Sequence, residues 1–215
     1  RRYAGNFSAV LHQAIHPRRA NIEKSFFESF SPDSSVTPAA KLGECSWEAG
    51  AADPLIASYP AGKGLLDSLA QAHASRVVWQ SLPEADLPDP FSQISQLISS
   101  SLSTSGSVLC LFPTSKLAKD FAAYWSEHAP DGAPAALEYH SELGANARYR
   151  TFLECRFNHP RLVIGTRSAI FAPLEKLSLL LIWDESAETY QEKTAPYWHT
   201  RQVAMLRSRA EKASL

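Results

Sequence analysis

The stretch RLVIGTRSAIFAPLEKLSLLLIWDE, residues 161–185, contains two short apolar runs, at 161–165 and 177–183. The first run leads into Gly-Thr-Arg-Ser and the second into Asp-Glu. Neither run alternates apolar with polar residues, so each predicts a strand that is buried on both faces. Strands of this kind belong to a parallel sheet that helices cover on both sides.

Further short apolar runs lie at 76–79, 107–113 and about 136–140, and helical patterns separate them. Short buried strands that alternate with helices predict an α/β fold with a doubly wound parallel sheet. Such sheets bind their ligands at the carboxyl ends of the strands. Functional residues are therefore expected where the strands end.

The composition is that of a globular chain without extreme charge. Its 215 residues are 45% hydrophobic, and 21 basic against 22 acidic side chains give a net charge of −1. Contacts with nucleic acid must therefore come from local basic clusters. Cys45, Cys110 and Cys155 are widely spaced, which indicates neither a disulfide framework nor a zinc site. No apolar run is long enough for a membrane helix and no signal peptide is recognisable, which predicts a cytoplasmic protein.

Composition also divides the chain into three parts. Residues 31–58 are rich in Ser, Pro, Ala and Gly and weakly periodic, as linkers are. They separate a small N-terminal segment, residues 1–30, from the α/β region, residues 59–215. Because the first residue is Arg and the chain stops in a helical pattern, we expect a piece of a longer protein.

Two sets of polar residues at strand ends could carry chemistry. Asp184 could hold Mg²⁺, and Glu185 could orient a water molecule for phosphoryl transfer. Thr166, Arg167 and Ser168 offer hydroxyl and guanidinium donors of the kind that bind phosphate oxygens. Residue types alone favour the simpler alternative, that both sets are ordinary polar ends of buried strands.

Residues 161–185 resemble lobe 1 of the PriA family, the primosomal replication-restart helicases of superfamily 2. The family's stretch has the form IVIGTRSALFAP…LGLIIVDEEH, and the GTRSA block is the most specific part of the match. YHSELGANARYRTFLE upstream resembles LHSGLSDGERLDEW, and APYWHTRQVAMLRS downstream resembles PRYHARDVAVLRA. The N-terminal RRYAGNFSAVLHQAIHPRRANIE is similar to the segment before the helicase core in divergent actinobacterial members. The resemblance covers nearly the whole chain and is weakest in the linker.

The resemblance implies a RecA-like helicase lobe 1 with a motif II at the end of the last strand. Asp184 and Glu185 match the Asp-Glu of that motif, the Walker B equivalent, and would be the catalytic pair that holds Mg²⁺ and positions water. Ser186 and Ala187 depart from the family, which has Glu and His there. The missing His puts in doubt the coupling of nucleotide state to DNA.

The resemblance also implies DNA contacts. Thr166, Arg167 and Ser168 match the block that lies near the phosphates of single-stranded DNA in superfamily 2 lobes. Arg18 and Arg19 form a small basic cluster near aromatic residues of the N-terminal segment and would be further DNA contacts.

The phosphate-binding loop is predicted to be missing. Lys63 lies in PAGKGLLDSL, residues 60–69, but Gly64 follows it where a Walker A loop has Ser or Thr, so we interpret this stretch as a glycine turn that begins a helix. In the PriA pattern the loop follows the strand at 76–79, where this chain has QSLPEADLPDP, residues 80–90. Three prolines there lack donors and three carboxylates would repel a triphosphate. We predict that the lobe does not bind ATP in the ordinary way.

The sequence thus predicts a DNA-binding protein of replication restart whose helicase lobe has lost ATP binding and unwinding, with no firmly expected cofactor. Its partners would be forked or single-stranded DNA and proteins of the primosome and replisome, and not a membrane. One alternative is an active ATP-dependent helicase that uses ATP and Mg²⁺ with an unconventional phosphate grip, such as Lys63 folded back beside the first strand. Another is a structural lobe without direct DNA contact.

Other conspicuous side chains are interpreted as structural. His140 and His199 have no Cys or His at metal-ligand spacing, so they are not expected to bind metal. The stripe formed by Phe121, Tyr124 and Trp125 has helical spacing and predicts core packing rather than a platform for stacking bases.

Overall fold

The computed structural model describes residues 7–29, 56, 59–81, 89–104, 106–157 and 161–215. Its elements in chain order are α1 (Phe7–Ala14), α2 (Ala20–Ser29), α3 (Gly62–Ala70), α4 (Pro90–Leu102), β1 (Ser107–Leu111), α5 (Ser115–His128), β2 (Ala136–Tyr139), α6 (Ala145–Phe157), β3 (Leu162–Gly165), a first 3₁₀ helix (Arg167–Phe171), β4 (Leu177–Ile182), a second 3₁₀ helix (Glu188–Tyr190) and α7 (Thr200–Glu211). The predicted linker, apart from Ile56, and residues 82–88 of the predicted loop replacement lie outside the described residues. The division at residues 30 and 58 stays a prediction.

The four strands form one parallel sheet in the order β2-β3-β1-β4. All five residues of the central strand β1 are buried, as its continuous apolar run predicted. Because every strand runs in the same direction, their ends at Leu111, Tyr139, Gly165 and Ile182 lie along one side of the sheet. We call this side the carboxyl edge.

Side chains of the sheet enter two separate cores. Val108 and Cys110 of β1 point to a core that α4 and α5 close, whereas Leu109 and Leu111 point to a core that contains residues of α7 and both 3₁₀ helices. Trp125 is 1% exposed in the first core, and its indole N–H donates to the Pro134 carbonyl at 3.0 Å. The predicted doubly covered α/β sheet is confirmed, and the layout is consistent with a RecA-like lobe.

The predicted strand at 76–79 is wrong. This segment has no strand of its own, and Val78 is 96% exposed. It does contact the sheet indirectly, because Ser214 pairs in parallel with Leu179 of β4 and Leu215 exchanges backbone hydrogen bonds with Ser75 and Val77 at 2.9 Å. Two short segments therefore extend the sheet beyond β4, and both are too short to be strands.

Polar side chains fix where the helices begin. Thr114 Oγ1 accepts the backbone N–H of Leu117 at the start of α5 at 3.2 Å. Asp89 does the same for α4, which begins at Pro90. Its Oδ1 accepts the N–H of Phe91 at 3.0 Å. Such caps satisfy N–H groups that have no partner inside the helix.

The two N-terminal helices pack on the α/β lobe. We call residues 7–29 the arm. Phe26 of α2 is 4% exposed and packs with Tyr149 and Leu153 of α6. The hydroxyl of Tyr149 also donates to Glu23 at 2.5 Å. The arm is therefore held by a buried aromatic contact as well as by polar ones.

Candidate functional site

The predicted acidic pair forms a tight turn directly after β4. Asp184 adopts a left-handed backbone conformation, with φ at 49°, which is uncommon for a residue with a side chain. Its Oδ1 accepts a hydrogen bond from Ser186 at 2.9 Å, and its carbonyl accepts the N–H of Ala187 at 3.0 Å. Asp184 and Glu185 are both exposed at the carboxyl edge.

Glu185 is engaged by the chain itself. Its Oε2 lies 2.7 Å from Nη1 of Arg201 in the first turn of α7, and the two side chains are about half exposed, at 45% and 54%. An exposed pair of this kind contributes at most about 1 kcal/mol to stability. It nevertheless directs the carboxylate towards α7 by a contact that would compete with orienting water.

A buried tyrosine holds the backbone at the start of this turn. Tyr190 is 0% exposed, and its hydroxyl lies 2.8 Å from the Trp183 carbonyl and 3.0 Å from that of Leu111. Burial raises the pKa of Tyr190, so the hydroxyl stays protonated and able to donate. Tyr190 thereby links the ends of β1 and β4.

The Gly-Thr-Arg-Ser block leaves the carboxyl edge between β2 and β1. A Cβ atom at Gly165 would lie 2.2 Å from the Tyr139 carbonyl oxygen, so this position requires glycine for close backbone approach. The next N–H, of Thr166, donates to that same oxygen at 3.2 Å. Thr166 and Ser168 are partly exposed at the start of the first 3₁₀ helix.

Arg167 makes its recorded contacts within the chain. Its Nη1 donates to the Gln191 carbonyl at 2.6 Å, its Nη2 lies 3.1 Å from Oε2 of Glu192, and its guanidinium lies 5.8 Å from the ring centre of Trp198. The loop that follows the second 3₁₀ helix therefore holds Arg167. This loop also follows the acidic turn, so it joins the two predicted sets of site residues.

The two N-terminal arginines lie at the start of α2. Arg18 pairs with Glu23 at 2.7 Å but keeps 78% of its side chain exposed. Arg19 Nη1 donates at 2.8 Å to Asn146 in the first turn of α6. The helix α6 begins soon after the carboxyl end of β2, so Arg19 lies near the same edge as Thr166.

The region of the predicted missing phosphate loop shows three described features. Trp79 packs between Tyr59 and Trp183, with ring centres 6.1 and 5.8 Å away. Asp89 caps the helix that follows the loop. Lys63 lies exposed in the first turn of α3, so the predicted glycine turn does begin a helix.

The residues interpreted as structural make contacts within the chain. His140 is 1% exposed, and its Nε2 lies 2.9 Å from Oε2 of Glu138. His199 caps α7, where its Nδ1 accepts the N–H of Arg201 at 3.1 Å. Phe121 and Trp125 are buried in the core.

Sequence reasoning missed three residues that organise the site, namely Tyr190, Trp198 and Gln13. Trp198 donates its indole N–H to Oε1 of Gln13 at 2.5 Å, across 185 positions of sequence. Tyr190 and Trp198 follow the acidic turn, and a buried Tyr or Trp usually forms a hydrogen bond through its polar group. Their position was therefore a weak signal that they contribute to the site. No local pattern pointed to Gln13.

The site offers hydroxyls and guanidinium groups at the carboxyl edge next to two exposed carboxylates. The first set suits phosphate oxygens, and the second suits a divalent cation. Across the described ranges, no three His, Cys, Asp or Glu side chains group as metal ligands. In the same ranges, every helix is too short or too polar to cross a bilayer.

Comparison with known proteins gives matches along nearly the whole chain. A protein named probable replication restart protein PriA from Mycobacterium tuberculosis is 34% identical over 213 residues, covering 96% of this chain and 29% of that protein. The Mycobacterium leprae protein of the same name is 31% identical over 212 residues, covering 96% of this chain and 30% of its own length. No family model matches.

A more distant relative matches a shorter part. The replication restart protein PriA of Synechocystis is 38% identical over 78 residues, which are 36% of this chain and 9% of that protein. The resemblance inferred from the GTRSA block is confirmed. Over 96% of its length this chain is therefore similar to the PriA replication restart proteins, and it spans about 29% of the length of the mycobacterial relative.

Proposed function

We propose that this chain is a DNA-binding part of a replication restart protein and that its helicase-like lobe binds no ATP. The relatives' names support the replication restart role. Primosome and replisome partners and a cytoplasmic location stay predictions from the sequence. The proposal for ATP rests on the described residues around the missing loop.

The capping of α4 by Asp89 carries this proposal. In a phosphate loop, the N–H groups at the start of the following helix point at phosphate. Here Oδ1 of Asp89 accepts the N–H of Phe91, and Pro90 has no N–H to offer. The helix start that would receive a phosphate already holds a carboxylate, and that carboxylate would repel another anion.

Two further contacts support the loss of ATP binding. Trp79, the last residue before the loop, is only partly exposed and packs against Trp183, the residue before the acidic turn. Glu185 is paired with Arg201. The first contact packs the residue before the loop against the residue before the acidic turn, and the second engages a carboxylate that an ATPase would keep available to orient water.

On the DNA side, we propose that Arg18, Arg19, Thr166 and Ser168 bind phosphates. Arg18 is largely exposed, and Arg19 contacts Asn146 near the carboxyl edge. Thr166 and Ser168 lie at that edge with partly exposed side chains. Guanidinium and hydroxyl groups are among the donors that bind DNA phosphates, and such contacts fix register rather than sequence.

Isothermal titration with Mg-ATP tests the first part. We expect no saturable binding at millimolar nucleotide. Micromolar binding that disappears in Asp184→Ala would overturn the proposal, because it would require a working motif II. Asp120→Ala, on the exposed face of α5, is the matched control.

The alternative of an active ATPase has one observation in its favour. Lys63 is exposed in the first turn of α3, and α3 packs against α4, the helix that follows the missing loop. ATP turnover by the full-length protein that Lys63→Ala abolishes and Lys116→Ala leaves intact would select this alternative.

Fluorescence anisotropy with labelled forked DNA tests the second part. We expect Arg19→Gln to weaken binding and to reduce the slope of log K against log salt by about 1, as the loss of one phosphate contact does. Arg209→Gln, an exposed arginine on α7, is the control. Unchanged binding in an Arg18→Gln, Arg19→Gln, Thr166→Ala triple variant would favour a lobe without direct DNA contact.

A further inference from the structure

The arm meets the lobe through a set of polar contacts between side chains that are distant in sequence. Oε1 of Gln13 accepts the indole N–H of Trp198 at 2.5 Å. Nε2 of His16 hydrogen-bonds the hydroxyl of Tyr139, at the carboxyl end of β2. Together with the Arg19–Asn146 bond, these contacts lay the arm along the carboxyl edge.

The indole of Trp198 is held on two sides. Phe171 contacts it edge to face, with ring centres 5.0 Å apart. The guanidinium of Arg167 lies 5.8 Å from the ring centre. The side chain is 9% exposed, so little freedom remains for the indole N–H to point elsewhere than at Gln13.

Arg167 in turn is fixed by the loop that carries Trp198. Besides its bond to the Gln191 carbonyl, it pairs with Glu192, whose side chain is only 12% exposed. The N–H of Glu192 donates to the Trp198 carbonyl at 2.9 Å. One guanidinium therefore holds the backbone, an acidic side chain and the aromatic ring of a single loop.

We propose that Arg167 is a positioning residue, which holds the arm on the lobe through Trp198 and Gln13. It acts on DNA binding by keeping Arg18 and Arg19 of the arm next to the carboxyl edge, rather than by touching a phosphate itself. A guanidinium with a carboxylate, a carbonyl and a ring as partners would lose all three contacts if it turned to DNA. The effect on DNA rests on the proposed function, whereas the holding of the arm does not.

Hydrogen–deuterium exchange tests the holding of the arm in this chain. We expect Arg167→Gln and Trp198→Phe each to raise exchange in residues 7–29 at least about threefold, while β1 and β3 keep their protection. Trp198→Phe keeps an aromatic ring and removes only the N–H and the second ring. Arg201→Gln, which removes an arginine at the same edge that pairs with Glu185, should leave the arm unchanged. Unchanged arm exchange in a folded Arg167→Gln variant would overturn the proposal.

Salt-dependent binding of forked DNA separates positioning from direct contact. If Arg167 positions the arm, the uncharged changes Gln13→Leu and Trp198→Phe reproduce the loss of affinity in Arg167→Gln, and the Arg167→Gln, Gln13→Leu double variant binds within about twofold of the weaker single variant. If Arg167→Gln alone weakens binding and lowers the salt slope by about 1, Arg167 is a phosphate contact and the proposal is wrong. If the unmodified chain binds no forked DNA, the proposed function fails, and the exchange result decides the role of Arg167 by itself.

Discussion

The hydroxyl of Tyr190 donates to the carbonyl oxygen of Trp183 at 2.8 Å, from a side chain that solvent does not reach. This bond fixes the backbone just before the acidic turn. The donor lies seven positions later in the chain than the acceptor. The loop that follows the acidic turn therefore holds the residue that precedes it.

Removing this hydroxyl should destabilise the lobe. Tyr190→Phe keeps the ring but leaves the Trp183 carbonyl and the buried Leu111 carbonyl without this donor, and we expect a loss of about 1–2 kcal/mol in the free energy of unfolding. Urea unfolding followed by circular dichroism measures it. Tyr197→Phe, at a side chain that is half exposed, should change stability by less than about 0.5 kcal/mol. Equal stability of the two variants would contradict the role of Tyr190.

Gly165 should not tolerate a side chain. Gly165→Ala would place Cβ 2.2 Å from the Tyr139 carbonyl oxygen and 2.6 Å from Cβ of Ala169, so the end of β3 must shift. We expect a loss of about 1–3 kcal/mol, typical of overpacking. Gly64→Ala, inside helix α3 where an added Cβ would meet nothing within 4 Å, is the matched control and should be neutral or slightly stabilising. Thermal unfolding of both variants checks the difference.

Asp89→Ala should separate helix capping from nucleotide binding. Loss of the bond to the N–H of Phe91 should lower the free energy of unfolding by about 1 kcal/mol. It should not create ATP binding, because Pro90 still offers no N–H and no lysine enters the segment. Denaturant unfolding and titration with Mg-ATP check the two outcomes. Nucleotide binding by this variant would mean that the carboxylate alone blocks the site.

The arm should loosen as the pH falls. Burial, and then the charge of Arg148, lower the pKa of His16 in the folded protein. The unfolded chain therefore binds a proton more readily, so the stabilising effect is complete above about pH 6.5 and is lost as the pH falls towards the lowered folded-state value. Burial, and then the charge of Arg201, lower the pKa of His199, so protonation of His199 also reduces the free energy of unfolding of the lobe as the pH falls.

Exchange of residues 7–29 at several pH values measures this effect. We expect faster exchange at low pH, after correction for intrinsic rates, and a weaker pH dependence in His16→Gln. His12→Gln, at an exposed position of α1, is the control. An arm that stays equally protected across this range would contradict the role of His16.

Much of the fold could be predicted because the strands are continuous apolar runs. The run at 177–183 became β4, and the helix predicted from ANARYRTFLECRF begins and ends as expected at Ala145–Phe157. The run at 76–79 is also apolar but forms no strand. Val77 donates its backbone N–H to the carbonyl of Leu215, and Val78 is solvent-exposed, which local composition does not reveal.

The candidate site could be predicted only where neighbouring residues carry the signal. Asp184 and Glu185 directly follow an apolar run, so their position at the carboxyl edge could be predicted from the sequence. The contacts of Arg167 were not, because Trp198 and Gln13 lie far from it in sequence and the residue types do not suggest pairing. Contacts between distant side chains depend on how loops fold back, which no periodic pattern encodes.

The backbone pairing beyond β4 also bears on the order of folding. Ser75 donates its N–H to the side chain of Ser214, which is 139 positions away, so this edge of the sheet closes one of the longest loops in the lobe. Contacts of such high sequence separation carry a large loss of chain entropy and form late. The helices and the β1–β3 pair can therefore assemble first, and residues 75–77 take their place only when the C-terminal end of the lobe has formed.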